Sequence, residues 1–291
     1  MQFRETTASD RERILALRAR CFAEGDPEKH DPRFWDWQFA NARFFIAEEH
    51  GELLSHLALV QLPHRIDGKL VPGMIGIDAM TAPSARGKGA FSGIVRLVTG
   101  EAGAVITSYQ IRKRVLGPLL RNRWKVAGRV PILLRPAALW RGKREPFRTL
   151  TPDDVEWMSA FDEGTIARTP EFLRWRFFDN PYWRYDVKGV ENAAYLVARR
   201  TTLRGIPTYA IADLGWRDEH IAKALLRDAV IEAREQRCLL TAALVSRDHP
   251  AYGWFLRRGF VPGPHRFNMV VHPPELASRR WRVMWADTDH L

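Results

Sequence analysis

Cysteine is nearly absent: Cys21 and Cys238 are the two thiols in 291 residues. Both sit in apolar runs, far apart, which excludes a disulfide framework and favours buried thiols in a reducing compartment. Cytoplasm is the expectation. No apolar stretch approaches the 18 or so residues of a spanning helix. The first twenty residues carry Arg4, Glu5, Asp10, Arg11 and Glu12, and do not read as the apolar centre of a signal peptide. Lysine is scarce, eight of 45 basic residues, so arginine carries the formal net charge of +11. Such an excess attracts anions: nucleic acid, a membrane surface or a phosphorylated small molecule. No single-sign block exists, however, and a nucleic-acid arm is not indicated.

What is present is ample core material, with 46% hydrophobic residues, organised as two similar halves. Ser9-Asp10-Arg11-Glu12 reads as a capping box, followed by the helical stripe Ile14, Leu15, Leu17, Cys21 and Phe22, stopped by Gly25. A short helix begins near Pro32. Runs 43–49, 53–62 and 70–82 are strand-like, punctuated by hairpin turns at His50-Gly51 and Asp67-Gly68. Phe91, Ile94, Val95 and Val98 mark an amphipathic helix. A buried strand at 104–109, a helix at 112–123 and a strand at 126–135 complete the half. Residues 136–150 are basic, Pro-containing and non-periodic, and read as a linker.

The second half repeats this order, with a helical entry at 171–178, strands at 185–190, 195–200 and 208–216, and a helix at 219–234. A strand at 239–245, a helix at 252–258 and a strand at 267–272 close it. Gly117-Pro-Leu-Leu-Arg-Asn-Arg-Trp124 aligns with Gly253-Trp-Phe-Leu-Arg-Arg-Gly-Phe260, an internal repeat of one domain length. The expected domains are 1–135 and 151–291, joined by 136–150.

The sharpest motif is Pro83-Ser-Ala-Arg86-Gly87-Lys88-Gly89-Ala90-Phe91, after a strand and before an apolar helix. Unpaired amides at a helix N-terminus bind phosphate, and two glycines let the backbone approach it. The same geometry also serves a tight turn. The motif and the order of elements around it resemble the GNAT acyltransferase superfamily, whose loop reads Arg/Gln-x-x-Gly-x-Gly/Ala; Phe91 stands in place of its final small residue.

The resemblance implies two fused GNAT-like α/β domains, each a mixed, mostly antiparallel twisted sheet flanked by helices. It implies acetyl-CoA or another acyl-CoA as co-substrate and no metal. Met80, Thr81 and Ala82 would hold the pantetheine arm, and Arg86, Gly87, Lys88, Gly89, Ala90, Phe91 and Ser92 the pyrophosphate. The second copy reads Leu214-Gly-Trp-Arg-Asp-Glu-His-Ile221 there, and its acids would repel a pyrophosphate. One acyl-CoA site, in the first half, is expected.

Acyl transfer to an amine needs a proton acceptor and a proton for the departing thiolate. Asp78, an acid in the apolar strand Met74–Met80, is the candidate base, its pKa expected to rise on burial. A structural carboxylate paired with an arginine is the competing reading. His56 on the neighbouring strand is a further candidate base, with a satisfied core histidine as its alternative. Many GNAT enzymes carry a tyrosine acid five residues before the aromatic that closes the short helix; here those positions are Leu119 and Phe255. Tyr109 or Ser108, at the end of the buried strand, or water would serve instead.

In the second half, aromatics and arginines interleave from Phe172 to Tyr185. Trp175, Arg176 and Tyr182 are candidates for stacking on and holding a substrate, against the alternative of core aromatics with solvated arginines. The run resembles tandem GNAT proteins of amino-sugar modification. Asp287 and Asp289 either contact substrate or close the chain. The expected activity is acyl-CoA-dependent N-acylation of a small amine, anionic or an amino sugar, by a monomer or homodimer. A silent acyl-CoA-binding module and an aminoacyl-tRNA-dependent transferase are the alternatives.

Overall fold

A computed structural model describes residues 1–22, 31–101, 103–110, 113–137, 144–161 and 164–288. Gly25, Arg112, positions 138–143 of the expected linker and Asp289 lie outside the described residues. The chain is a mixed α/β protein whose strands pair mostly antiparallel, with helices on the sheets.

It divides into two compact units, and neither is a continuous stretch. The first comprises Met1–Gly128 and Asn268–Arg279; the second comprises Arg129–Phe267 and Arg280–Leu291. The last strand, β14 (Val261–His272), begins six residues earlier than its apolar pattern suggests and passes from the second unit into the first. Its end, Asn268–His272, is a first-unit strand.

In the first unit, β1 (Gln2–Glu5), α1 (Arg11–Cys21) and α2 (Pro32–Gln38) precede β2 (Ala42–Glu49) and β3 (Glu52–Gln61). A small hairpin, β4 (His64–Ile66) and β5 (Lys69–Val71), leads into β6 (Gly73–Thr81), so the expected strand 70–82 is broken at Pro72. Then come α3 (Ala90–Glu101), β7 (Val105–Gln110) and α4 (Lys113–Arg121). The sheet order is β1-β2-β3-β6-β7-β14, with β6 and β7 parallel. His50-Gly51 and Asp67-Gly68 all take positive φ, as primed hairpin turns require. The α1 start differs from the capping-box reading. Asp10, not Ser9, is the pivot: its carboxylate accepts from the Thr7 amide at 2.9 Å and from Arg4 and Arg13.

The second unit contains β8 (Lys125–Pro136, most of it), β9 (Arg148–Thr149), α5 (Val155–Met158) and α6 (Pro170–Leu173). A π-helical turn, Arg174–Phe178, follows α6. Next are β10 (Asp186–Val190), β11 (Ala194–Leu203), β12 (Ile206–Trp216), α7 (Glu219–Glu235), β13 (Leu240–Leu244) and α8 (Tyr252–Arg257). Here too the two central strands, β12 and β13, are parallel.

The aligned octapeptides adopt one conformation. Trp124 N–H donates to Leu119 C=O at 3.2 Å and Phe260 N–H to Phe255 C=O at 3.1 Å. The residue before each aromatic, Arg123 or Gly259, takes positive φ. Leu119, Trp124, Phe255 and Phe260 are all buried, so the position where an acid was sought is core in both units.

Candidate acyl-CoA site

The site is built where two parallel strands part. β6 and β7 pair from Gly73↔Val105 to Ile75↔Thr107 and no further. On its other side β6 stays bonded to β3, but the register slips: Ala58 faces Ile77 while His56 faces Met80. Asp78 and Ala79 together oppose the single residue Leu57, and Asp78 takes φ +53°. A left-handed conformation costs a non-glycine residue about 1–2 kcal/mol, so neighbouring contacts must hold it.

Past the bulge the β3-facing side of β6 is fully engaged. Ser55 Oγ–H donates to Met80 C=O at 2.7 Å, and Ala82 N–H donates to Leu54 C=O at 2.8 Å. That leaves the β7-facing edge of 77–81 without a strand partner among the described residues. Thr81 is half-buried; Met80 and Ala82 are buried.

The loop that follows makes one 3-10 turn, Pro83–Ala85, and enters α3. Gly87 and Gly89 take φ +80° and +88°, with open space where a Cβ would point. Arg86 and Lys88 are exposed, Ala90 is buried, and Phe91 and Ser92 are half-buried. The Gly93 amide makes the first helical bond, to Gly89 C=O at 2.9 Å. The amides of Gly87, Gly89, Ala90, Phe91 and Ser92 have no backbone acceptor among the described residues. They are the donors of an anion cradle at a helix N-terminus, and the exposed Arg86 and Lys88 add charge.

The candidate catalytic residues are placed as follows. The Asp78 side chain is buried beside two partners: Arg18 Nε lies 3.4 Å from Oδ1 and His56 Nδ1 3.5 Å from Oδ2. The arginine pairing weighed from sequence is therefore present. His56 Nδ1 also lies 3.1 Å from the Asp78 carbonyl oxygen, a contact that fixes the proton on Nδ1. Burial pushes the His56 pKa down, against the attraction of Asp78. Phe44 stacks on the imidazole at 5.7 Å, and Trp35 lies 6.1 Å away. Arg18 in turn lies over Trp35 and Phe39 and donates to Gln38 at 3.3 Å.

Ser108 and Tyr109 sit on β7 just past its last pair with β6, both buried. Ser108 donates to Gly76 C=O at 2.5 Å, which ties the two strands at the point where they part. Arg18 is the residue that sequence reasoning missed. Its signal was a lone arginine on the inward face of α1, one turn before Cys21, whose thiol contacts Thr81 C=O at 3.5 Å.

The second unit has the same parting, but its slot is filled. β12 and β13 pair only from Thr208↔Leu240 to Ile211↔Ala243. Beyond that, Met284 bridges to Val245, and Ser246 N–H donates to Val283 C=O at 2.9 Å. Ser246 Oγ–H donates to Trp281 C=O at 2.6 Å and accepts from Val283 N–H at 2.9 Å. The turn Trp285–Asp287 packs on β12. Arg168 pins the segment, bridging Asp287 at 2.7 Å and Asp213 of β12 at 2.8 Å. Tyr195 O–H also donates to Asp213, at 2.9 Å. Asp287 is thus a fully buried anchor.

In the aromatic run Phe172 and Phe177 are core, while Trp175, Phe178, Tyr182, Trp183 and Tyr185 are half-buried. Arg176 is buried and donates to Thr288 C=O at 2.7 Å. Trp175 is half-buried beside Phe172, and Tyr182 N–H donates to Asn180 Oδ1 at 2.9 Å. These residues all lie in the second unit, whereas the cradle, Asp78, Ser108 and Tyr109 lie in the first. Among the described residues no cluster of metal-ligating side chains occurs, and no helix is long and apolar enough to cross a membrane.

A bulged strand parting from its parallel neighbour and running into an amide cradle at a helix N-terminus forms an anion-binding slot in the first unit. Residues 2–104 match the family model described as an acetyltransferase (GNAT) domain, and this part of the chain is such a domain. Solved structures share the fold over nearly the whole chain. A probable N-acyltransferase of Enterococcus faecalis has a TM-score of 0.71 at 10% identity, covering 95% of this chain and 73% of its own. A GCN5-related N-acetyltransferase from Anabaena variabilis gives 0.69 at 12% identity, covering 93% and 72%. Saccharomyces cerevisiae N-myristoyltransferase with bound myristoyl-CoA gives 0.61 at 12% identity, covering 92% and 82%. No curated protein matches the sequence.

Proposed function

We propose that this GNAT acyltransferase moves an acyl group, acetyl first, from acyl-CoA to the nitrogen of a small amine of the amino-sugar or anionic type. One observation carries the cofactor half: the β6 edge at 77–81, which has no strand partner among the described residues, leads directly to the amides of Gly87, Gly89, Ala90, Phe91 and Ser92, which have no backbone acceptor there. The edge offers main-chain partners to the two amides of pantetheine, and the cradle offers five N–H groups to the pyrophosphate. The amine attacks the thioester carbon directly, giving an amide and a thiolate. Asp78, at the bulge, is the proton acceptor, and positioning supplies much of the remaining rate. Arg176 is committed to the Thr288 carbonyl and is no part of this proposal.

Calorimetry with acetyl-CoA tests the cradle. Wild-type protein should bind, and Gly89→Glu, which sets a carboxylate and a strained backbone among the donors, should not. Arg86→Ala with Lys88→Ala should weaken binding about tenfold while leaving the fold intact. Full binding by both variants would sink the assignment. Asp78→Asn should keep acetyl-CoA affinity and lose at least 100-fold in turnover.

A silent acyl-CoA-binding module stays as the second reading because Leu119, in the place of the usual tyrosine acid, is core, and Ser108 is committed to Gly76. Thiol release across a panel of amines and amino sugars separates the two.

A further inference from the structure

We infer that His56 is a positioning residue for acyl transfer: its Nδ1–H holds the carbonyl of Asp78, and with it the bulge that presents the Asp78 carboxylate. The inference rests on the reading of Asp78 as proton acceptor.

The geometry is specific. Asp78 is the one residue of β6 with positive φ, and two side chains from two other elements fix it. From β3, His56 Nδ1 reaches its main-chain oxygen at 3.1 Å. From α1, Arg18 Nε faces its Oδ1 at 3.4 Å. The two carboxylate oxygens are thereby made unequal. Oδ1 faces a permanent cation, while Oδ2 is buried, lies 3.5 Å from the neutral His56 ring at Nδ1 and makes no hydrogen bond among the described residues. Oδ2 is the oxygen left to take a proton.

His56 itself has no room to act otherwise. It is fully buried, with Phe44 stacked on it and Trp35 at its edge, so it does not meet a substrate directly. Asp78 and Arg18 are the charged groups that face it, one from β6 and one from α1. Burial favours the neutral ring, and with its proton on Nδ1 the buried Nε2 makes no hydrogen bond among the described residues. A merely space-filling core position would be served better by an apolar side chain, because a buried polar atom left unpaired opposes folding. The cluster retains three: Arg18 Nη1, His56 Nε2 and Asp78 Oδ2. Unmet polar atoms around a strained residue mark a place where the fold gives up stability to hold a geometry.

Three substitutions separate the two imidazole nitrogens. Asparagine places its amide N–H near the Nδ1 position, glutamine near the Nε2 position, and alanine places none. The assay uses acetyl-CoA and whichever amine of a panel of amino sugars and amino acids the wild-type protein acetylates fastest. His56→Asn should keep kcat within about threefold, while His56→Gln and His56→Ala should each lose tenfold or more, with acetyl-CoA affinity by calorimetry unchanged in all three. In the 15N spectrum of the labelled wild-type ring, the neutral Nδ1–H tautomer should be seen at pH 7. An Nε2–H tautomer overturns the inference directly, whatever the kinetics. So do equal losses in the three variants that follow their melting temperatures, or wild-type kcat in His56→Gln and His56→Ala. Asp78→Asn is assayed beside them. If it turns over normally, or if wild-type acetylates no amine, the reading of Asp78 fails and this inference with it. If Asp78→Asn is inactive while His56→Gln is not, the inference alone fails.

Discussion

At the scale of residues, the two glycines of the cradle and Gly93 in the first turn of α3 are needed for different reasons. Gly87 and Gly89 serve backbone conformation, with empty space around them. Gly93 serves packing: a Cβ there would lie 2.1 Å from the Phe3 ring. Gly87→Ala and Gly89→Ala should each cost about 1 kcal/mol through strain alone. Gly93→Ala should also destabilise, but Phe3→Ala should relieve that loss and not the other two. Thermal melts of the double variants check this coupling.

Buried histidines set the acid limit of stability. Burial lowers the pKa of His56 and His272, and takes His249 to about 3. In the unfolded chain each protonates near 6.5, so below that pH the unfolded state binds more protons than the folded one. Stability is therefore full above about pH 6.5 and falls as pH drops. Each ring contributes a slope of at most about 1.4 kcal/mol per pH unit. For His249 the loss continues to about pH 3. Melting temperature against pH should show a shallower acid limb in His249→Gln than in wild-type.

Elements were read well wherever period and punctuation agreed. The helix after the cradle, both primed hairpins and the parallel central strands lie close to their expected places. Three features escaped. The start of α1 turns on Asp10 rather than Ser9, because Arg4 of β1 and Arg13 of α1 both bind its carboxylate, and local spacing cannot express the contact from β1. The early start of β14 was hidden by Pro262, Gly263 and Pro264, which read as loop yet lie in the strand. The Arg18–Asp78–His56 cluster joins three elements, so only the folded sheet brings it together. The catalytic-acid question was legible in one respect: Leu119 and Phe255 were seen to be unable to donate, and their burial explains their identity. Leu119→Tyr should accordingly destabilise the protein by about 1–3 kcal/mol through overpacking, with no gain in thiol release.

For the whole molecule, the repeat in sequence corresponds to two partings of parallel strands, one open to main-chain pairing and one occupied by Trp281–Asp287. Calorimetric titration with acetyl-CoA should give one site per chain, and a stoichiometry of two would contradict the filled slot. Removing Arg168, as in Arg168→Met, should destabilise strongly, by about 3–5 kcal/mol, since Asp213 and Asp287 would remain buried without their cation.

The placement of Asn268–His272 against β7 also orders events in time. A ribosome delivers Val105–Gln110 more than 150 residues before the strand that covers it. Throughout that interval β7 has an exposed edge of unpaired amides and carbonyls, the template on which chains join one another. Nascent or truncated forms ending before residue 268 should therefore aggregate during synthesis, and a chaperone that shields strand edges should raise the yield of full-length protein.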